Sequence, residues 1–119
     1  MKDGNWFAHY AGNKDEPEIT LLIEQLGLEG YGIYWVLWET LRNQEGYFYP
    51  VKLLPSLARK YNTTFEKLNQ VVNGYGLFVI EDDKVFYSKE LLEIMKKYDD
   101  KKEIRSLAGK ASADRKSVV

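Results

Sequence analysis

The stretch NTTFEKLNQVVNGYGLFVIEDDKVFYS, residues 62–88, decides the fold. Thr63 with Glu66 three residues later is a capping box, in which side chains answer the free backbone amides that open a helix. Phe65, Leu68, Val72 and Tyr75 then recur at helical spacing as an inward face, with Gly74 as the stop. Thr63, Glu66, Lys67, Asn69, Gln70 and Asn73 are left facing out. Leu77 to Glu81 and Lys84 to Ser88 read as strands around Asp82-Asp83, a pair that tolerates left-handed backbone in a two-residue hairpin. That register sets Glu81 opposite Lys84, Ile80 opposite Val85 and Phe78 opposite Tyr87.

Immediately upstream, Leu53, Leu54, Leu57 and Ala58 predict a helix from about Val51 to Tyr61, with Pro55 in its first turn and Asn62 at its end. Two short helices joined by a tight polar turn form a helix-turn-helix unit, and the hairpin that follows directly makes it a winged helix-turn-helix. Gly46 breaks the chain, and Tyr47-Phe48-Tyr49 before Pro50 predicts a short strand able to pair with the hairpin. The expected fold class is therefore mostly α with a small β-hairpin wing.

Two helices precede this unit. The first, Glu16 to Leu26, carries Ile19, Leu22, Ile23 and Leu26 on one face, with Pro17 in the first turn, Asp15 and Glu18 as a capping box and Gly27 as the stop. The second, Glu29 to Gln44, is the central core helix: Tyr31, Ile33, Tyr34, Trp35, Leu37, Trp38 and Leu41 cover over half its circumference, leaving Glu39, Thr40 and Asn43 to solvent. Gly30 and Gly32 cost helix propensity near its start, which suits close approach of another backbone. Ser88 caps a last helix with Leu91, Ile94, Met95 and Tyr98 inward. Trp35, Trp38, Leu41, Leu57, Leu68, Val72 and Phe78 are expected to share one core, and Trp6, Phe7 and Tyr10 to fold residues 1–14 onto it.

The chain has 119 residues, 45% of them apolar and 17 aromatic, which fits one folded domain. We read residues 1–98 as a winged-helix domain with an N-terminal arm, and 99–119 as a projecting helix end running into a basic linker. The absence of Cys removes disulfides and thiolate chemistry, and the longest apolar run, Ile33 to Trp38, cannot cross a bilayer. A soluble cytoplasmic protein without membrane contact is expected. The net charge of −1 is uneven: residues 1–95 hold 9 Lys/Arg against 14 Asp/Glu, and residues 96–119 hold 8 against 4. The folded part therefore has a weak electrostatic footprint for nucleic acid.

His9 stands alone, so no His-based triad or multi-His metal site can form within one chain, and it reads as a hydrogen-bonded packing residue. Asp82-Asp83 and Asp99-Asp100 suit turn and solvated roles. No enzyme and no cofactor is expected. What remains are surfaces. For duplex DNA the candidates are Arg59, Lys60, Lys67, Gln70 and Asn73 on the helix-turn-helix unit, and Lys101, Lys102, Arg105, Lys110, Arg115 and Lys116 on the tail. Glu66 and the acidic wing tip oppose phosphate approach, which places protein contact ahead of direct DNA reading.

Trp6-Phe7-x-His9, the block Leu26-Gly-Leu-Glu-Gly-Tyr-Gly-Ile-Tyr-Trp35, Tyr75-Gly-Leu-Phe78, Phe86-Tyr-Ser88 and Ser106-x-Ala-Gly-Lys110 resemble the N-terminal winged-helix domain family of phage and mobile-element replication proteins. That family is similar in character to DnaD-type replisome organisers. Its opening motif ordinarily continues with Asp, where this chain has Tyr10. The resemblance implies a non-enzymatic, replication-associated module that self-associates, joins protein partners of a replication complex and is followed by a separate C-terminal region. It leaves two readings: an assembly module with weak DNA binding, or a sequence-specific DNA-binding winged helix of an initiator or regulator.

Overall fold

The computed structural model describes residues 6–101. Four helices and a three-stranded antiparallel sheet form one hydrophobic core, in an arrangement consistent with a winged helix. Helix α1 runs Pro17–Arg42 and is broken at Gly27, whose φ of 69° and ψ of −163° belong to no helix. The two expected helices are thus two arms of one element, parted at the predicted glycine. The bend folds the first arm back onto Gly30: a Cβ there would meet Leu26 Cβ at 2.5 Å and Leu22 Cδ2 at 3.2 Å. The close neighbours of Gly30 are side chains of its own helix, so the expectation of an approaching backbone is corrected at that position.

The expected capping box at Asp15 and Glu18 does not form. Residues Ala11–Asp15 make a 3-10 turn, which moves the N-cap to Glu16 with no side-chain cap and puts Pro17, lacking an N–H to satisfy, in the first turn. Beyond α1, Gly46 and Tyr47 both take left-handed φ (77° and 63°) within a 3-10 turn, Glu45–Tyr47. That turn displaces the expected strand Tyr47-Phe48-Tyr49 to β1, Tyr49–Pro50. A 3-10 turn, Val51–Leu53, leads into α2, Leu54–Lys60, with Pro55 in its first turn and Asn62 closing it at a φ of 56°.

Helix α3, Phe65–Asn73, is capped by Thr64, whose hydroxyl accepts from the Lys67 N–H at 3.2 Å, one residue later than expected. Thr63 is drawn away by Glu29, to which it donates a 2.7 Å hydrogen bond. Because α3 packs against both α1 and α2, its buried face is Leu68, Val71, Val72 and Tyr75. Phe65, predicted inward, stays 39% exposed at the first turn, and Val71, left out of the predicted face, is fully buried.

Strands β2, Val79–Glu81, and β3, Val85–Tyr87, pair antiparallel, and β1 pairs with the other edge of β3, giving the order β1-β3-β2. Asp82 and Asp83 adopt the predicted left-handed conformation, and Lys84 N–H closes the turn on Glu81 O at 3.0 Å. The register is one residue off the expected one: Glu81 lies opposite Val85 and Ile80 opposite Phe86. Lys84 becomes an extra residue whose carbonyl accepts from Val51 N–H at 2.9 Å. In this register Phe86 shares a face with Ile80 and is fully buried in the core, the place that the expected register would have given to Val85. Ser88 caps helix α4, residues 89–101, through a 3.1 Å bond from Leu91 N–H, as expected.

The core holds Trp38, Leu41, Leu57, Leu68, Val72 and Phe78, as predicted, whereas Trp35 is half-buried. Trp35 is the platform for the N-terminal arm: Phe7 stacks on it at 5.8 Å between centroids and His9 at 3.6 Å. Arg42 then ties three segments together. It is buried to 8% exposure, its Nε donates to Trp6 O at 2.9 Å, and its guanidinium lies 5.8 Å from the Tyr47 ring and 5.7 Å from that of Tyr98 on α4. Tyr47 OH donates to Asp99 at 2.8 Å; burial, then this hydrogen bond, pushes the Tyr47 phenol above its ordinary range.

Candidate functional site

The outward side of α3 is the surface a winged helix offers to a DNA groove, and Lys67, Gln70 and Asn73 on it all have partners within the chain. Lys67 Nζ bonds Glu29 Oε1 at 2.9 Å, and the other oxygen of the same carboxylate accepts from Thr63. These two hydrogen bonds, that of Lys67 first, hold the Glu29 carboxyl below the usual carboxylate range. Gln70 Nε2 donates to Tyr75 OH at 2.7 Å, and Tyr75 OH donates onward to Gln25 Oε1 at 2.6 Å. Asn73 Nδ2 turns back on Asn69, on its carbonyl at 3.0 Å and its side-chain oxygen at 2.8 Å.

Helix α3 is thus fastened to α1 on both sides of the Gly27 break, by Gln25 before it and Glu29 after it. Neither residue stood out in the sequence. Their partners lie 34 to 50 residues away, and no local pattern encodes such pairs.

Two other candidate cations have partners of their own. Arg59 donates to Ser56 Oγ at 3.0 Å, and Lys60 lies 5.2 Å from the Tyr61 ring, both exposed at the end of α2. Lys84 is exposed on the wing and Lys101 on α4. Lys102, Arg105, Lys110, Arg115 and Lys116 lie outside the described residues, as does the linker expected there.

Beside the Glu29 knot, α1, α2 and α3 enclose a hollow of about 350 Å³. Ile33, Val36 and Leu37 of α1, Leu57 of α2 and Leu68 of α3 give it an apolar floor. Glu29 and Thr63 stand at its rim, and Gly32 lines it with open space where a Cβ would be. A second hollow of about 340 Å³ continues along α1 past Glu39 and Thr40, with Leu57 and Tyr61 lining both.

His9 is stacked, Asp82 and Asp83 serve the turn, and among the described residues no group of three or more His, Asp or Glu side chains is placed to hold a metal ion. Nor is any helix among them long and apolar enough to cross a membrane. The chemistry on display is that of surfaces: tied polar groups on α3 and an apolar furrow next to them.

No curated protein and no solved structure matches the chain. A family model does, over residues 6–91, from the Trp6 arm through the Gly27 break, the helix-turn-helix unit and the wing to Leu91 on α4. That span takes in the motifs quoted above except the late Ser106 to Lys110 block, and by it the chain belongs to the Lin1244/Lin1753-like N-terminal domain family.

Proposed function

We propose that this domain is a non-enzymatic assembly module of a phage or mobile-element replication protein, comparable in role to DnaD-type replisome organisers. It gathers copies of its own chain or protein partners and does not read DNA sequence with α3. One observation carries this reading: Lys67, Gln70 and Asn73, the side chains that would reach base edges, are engaged within the chain by Glu29, Tyr75 and Asn69. To read a base, each would have to give up a hydrogen bond it already makes, which removes much of the gain from the new one. The excess of acid over base in residues 1–95 weakens phosphate attraction further.

The test is binding of the chain to duplex and single-stranded DNA at two salt concentrations. Affinity should be weak and nearly sequence-independent, and should depend on Lys101, Lys102, Arg105, Lys110, Arg115 and Lys116, so that truncation after Tyr98 removes most of it. Gln70→Ala and Lys67→Ala should change it little. If truncation is harmless and Gln70→Ala costs about 1–3 kcal/mol on one sequence only, α3 reads a groove, and the rival reading, a sequence-specific winged helix, replaces this one.

A further inference from the structure

We propose that the N-terminal arm is a strap that governs the Tyr98-Asp99 turn of α4, with Arg42 as the switch, leaving that turn for Glu39 when the arm lifts. Arg42 is buried, yet among the described residues it forms no ion pair, and its guanidinium makes one hydrogen bond, from Nε to Trp6 O. A cation out of water needs acceptors or ring faces around it, so this one depends on the arm's carbonyl and on the Tyr47 and Tyr98 rings at once. Take the carbonyl away and a buried charge is left without its acceptor, an arrangement that favours a move toward a carboxylate.

Two hollows give Arg42 room to move. One, of about 470 Å³, is lined by Arg42 with Trp6 and Phe7 of the arm and with Glu39 and Asn43 of α1. The other, of about 500 Å³, lies toward the Tyr47 turn and is lined by Glu45 and Asp99. Asp99 already accepts from Tyr47 OH, whereas Glu39 is exposed and its side chain has no bond or ion pair among the described residues. Glu39 stands three residues before Arg42 on the same helix, a spacing at which the two side chains meet. Its hollow is also the one that Trp6 and Phe7 line, so lifting the arm opens the way between Arg42 and Glu39. The swing takes the cation away from Tyr47 and Tyr98. Burial of Leu91 and Met95 anchors the start of α4, while the Tyr98-Asp99 turn relies on contacts that include the Trp6 ring, Arg42 and the exposed Tyr47 bond. The first two go with the arm. Its grip is light, since Trp6 is 52% exposed, and displacing it frees the helix that leads to residues 102–119. Two elements far apart in sequence are thus biased through one side chain with two positions.

Residue-resolved amide hydrogen exchange of the full chain tests this, read at residues 98–101 with residues 91–95 as the internal reference. Phe7 rests on Trp35 and Trp38 of α1, so Phe7→Ala loosens the arm while leaving the Trp6 and Tyr98 rings intact. It should speed exchange at 98–101 several-fold beyond any change at 91–95. Glu39→Gln removes the partner that Arg42 takes when the arm is lifted, and should slow exchange at 98–101 by about twofold. Glu45→Gln, at the other hollow, should leave it unchanged. A surface carboxylate with a merely structural role would not protect a turn of another helix by its removal, and neither surface variant touches the core. Exchange at 98–101 that keeps level with 91–95 in Phe7→Ala overturns the strap. Failure of Glu39→Gln to slow exchange, or equal slowing by Glu45→Gln, overturns the switch.

Discussion

The two sides of α1 are held to the rest of the molecule by different physics. On one side the arm, Trp35, Trp38 and Tyr98 of α4 interlock through rings, with a buried guanidinium at the junction of Trp6, Tyr47 and Tyr98. On the other, α3 lays Leu68, Val71 and Val72 into the core, and polar bonds finish the contact at the surface, where the Lys67 and Glu29 side chains keep 41% and 46% exposure. Ring burial removes large apolar area from water and carries stability, whereas an exposed ion pair exchanges one set of hydrogen bonds for another. Apolar burial, richest in rings on the first side, therefore builds the fold. The surface bonds of the second settle what α3 presents, at little energetic consequence.

The sharpest way to break that comparison is at Trp38, which has no exposure and touches Phe7, Tyr34 and Trp35. Trp38→Ala should destabilise the domain by roughly 3–5 kcal/mol, the loss of a buried large aromatic plus the cavity it leaves. Urea unfolding followed by far-ultraviolet circular dichroism measures it. An unchanged midpoint would mean that the aromatic side does not carry the fold.

Next in size is Arg42. Arg42→Ala removes the bond to Trp6 O and the cation from two tyrosine rings, and should cost about 2–3 kcal/mol while raising the mobility of the arm. Arg42→Lys should recover only part of this, because an ammonium cannot keep the Nε bond and lie flat against both rings. Full recovery by lysine would reduce Arg42 to a point charge. Hydrogen exchange at residues 6–15 reports the arm directly.

Periodicity alone revealed most of the aromatic side. Trp38, Leu41, Leu57, Leu68, Val72 and Phe78 share a core because apolar residues at helical spacing have one place to go. Arg42 has a signal of its own in the sequence: Tyr34, Trp38 and Arg42 stand four apart on the buried face, where a charge needs an explanation. The strand register differs from the expected one because Asp82-Asp83 allows two ladders one residue apart, and only the core's demand for Phe86 chooses between them. The polar side was hardly visible. Glu29 and Gln25 look like ordinary solvated helix residues until the break at Gly27 and the packing of α3 bring Lys67 and Tyr75 to them.

The smallest effect expected is the most direct test of the polar side. Glu29 has its carboxyl pKa lowered in the folded state, first by Lys67 and then by Thr63, so its contribution is present above the ordinary carboxylate pKa and is lost as pH falls through the lowered one. Glu29→Gln should therefore be slightly less stable than the wild type at neutral pH and indistinguishable from it once both carry a neutral side chain at position 29, below the lowered carboxyl value. High salt should shrink the neutral-pH gap, since the pair is exposed. Urea midpoints of the two proteins at neutral and strongly acidic pH, with and without added salt, measure the difference. A gap that persists in acid would mean that Glu29 acts through packing at the rim of the furrow, and the polar side would then share in building the fold instead of only arranging α3.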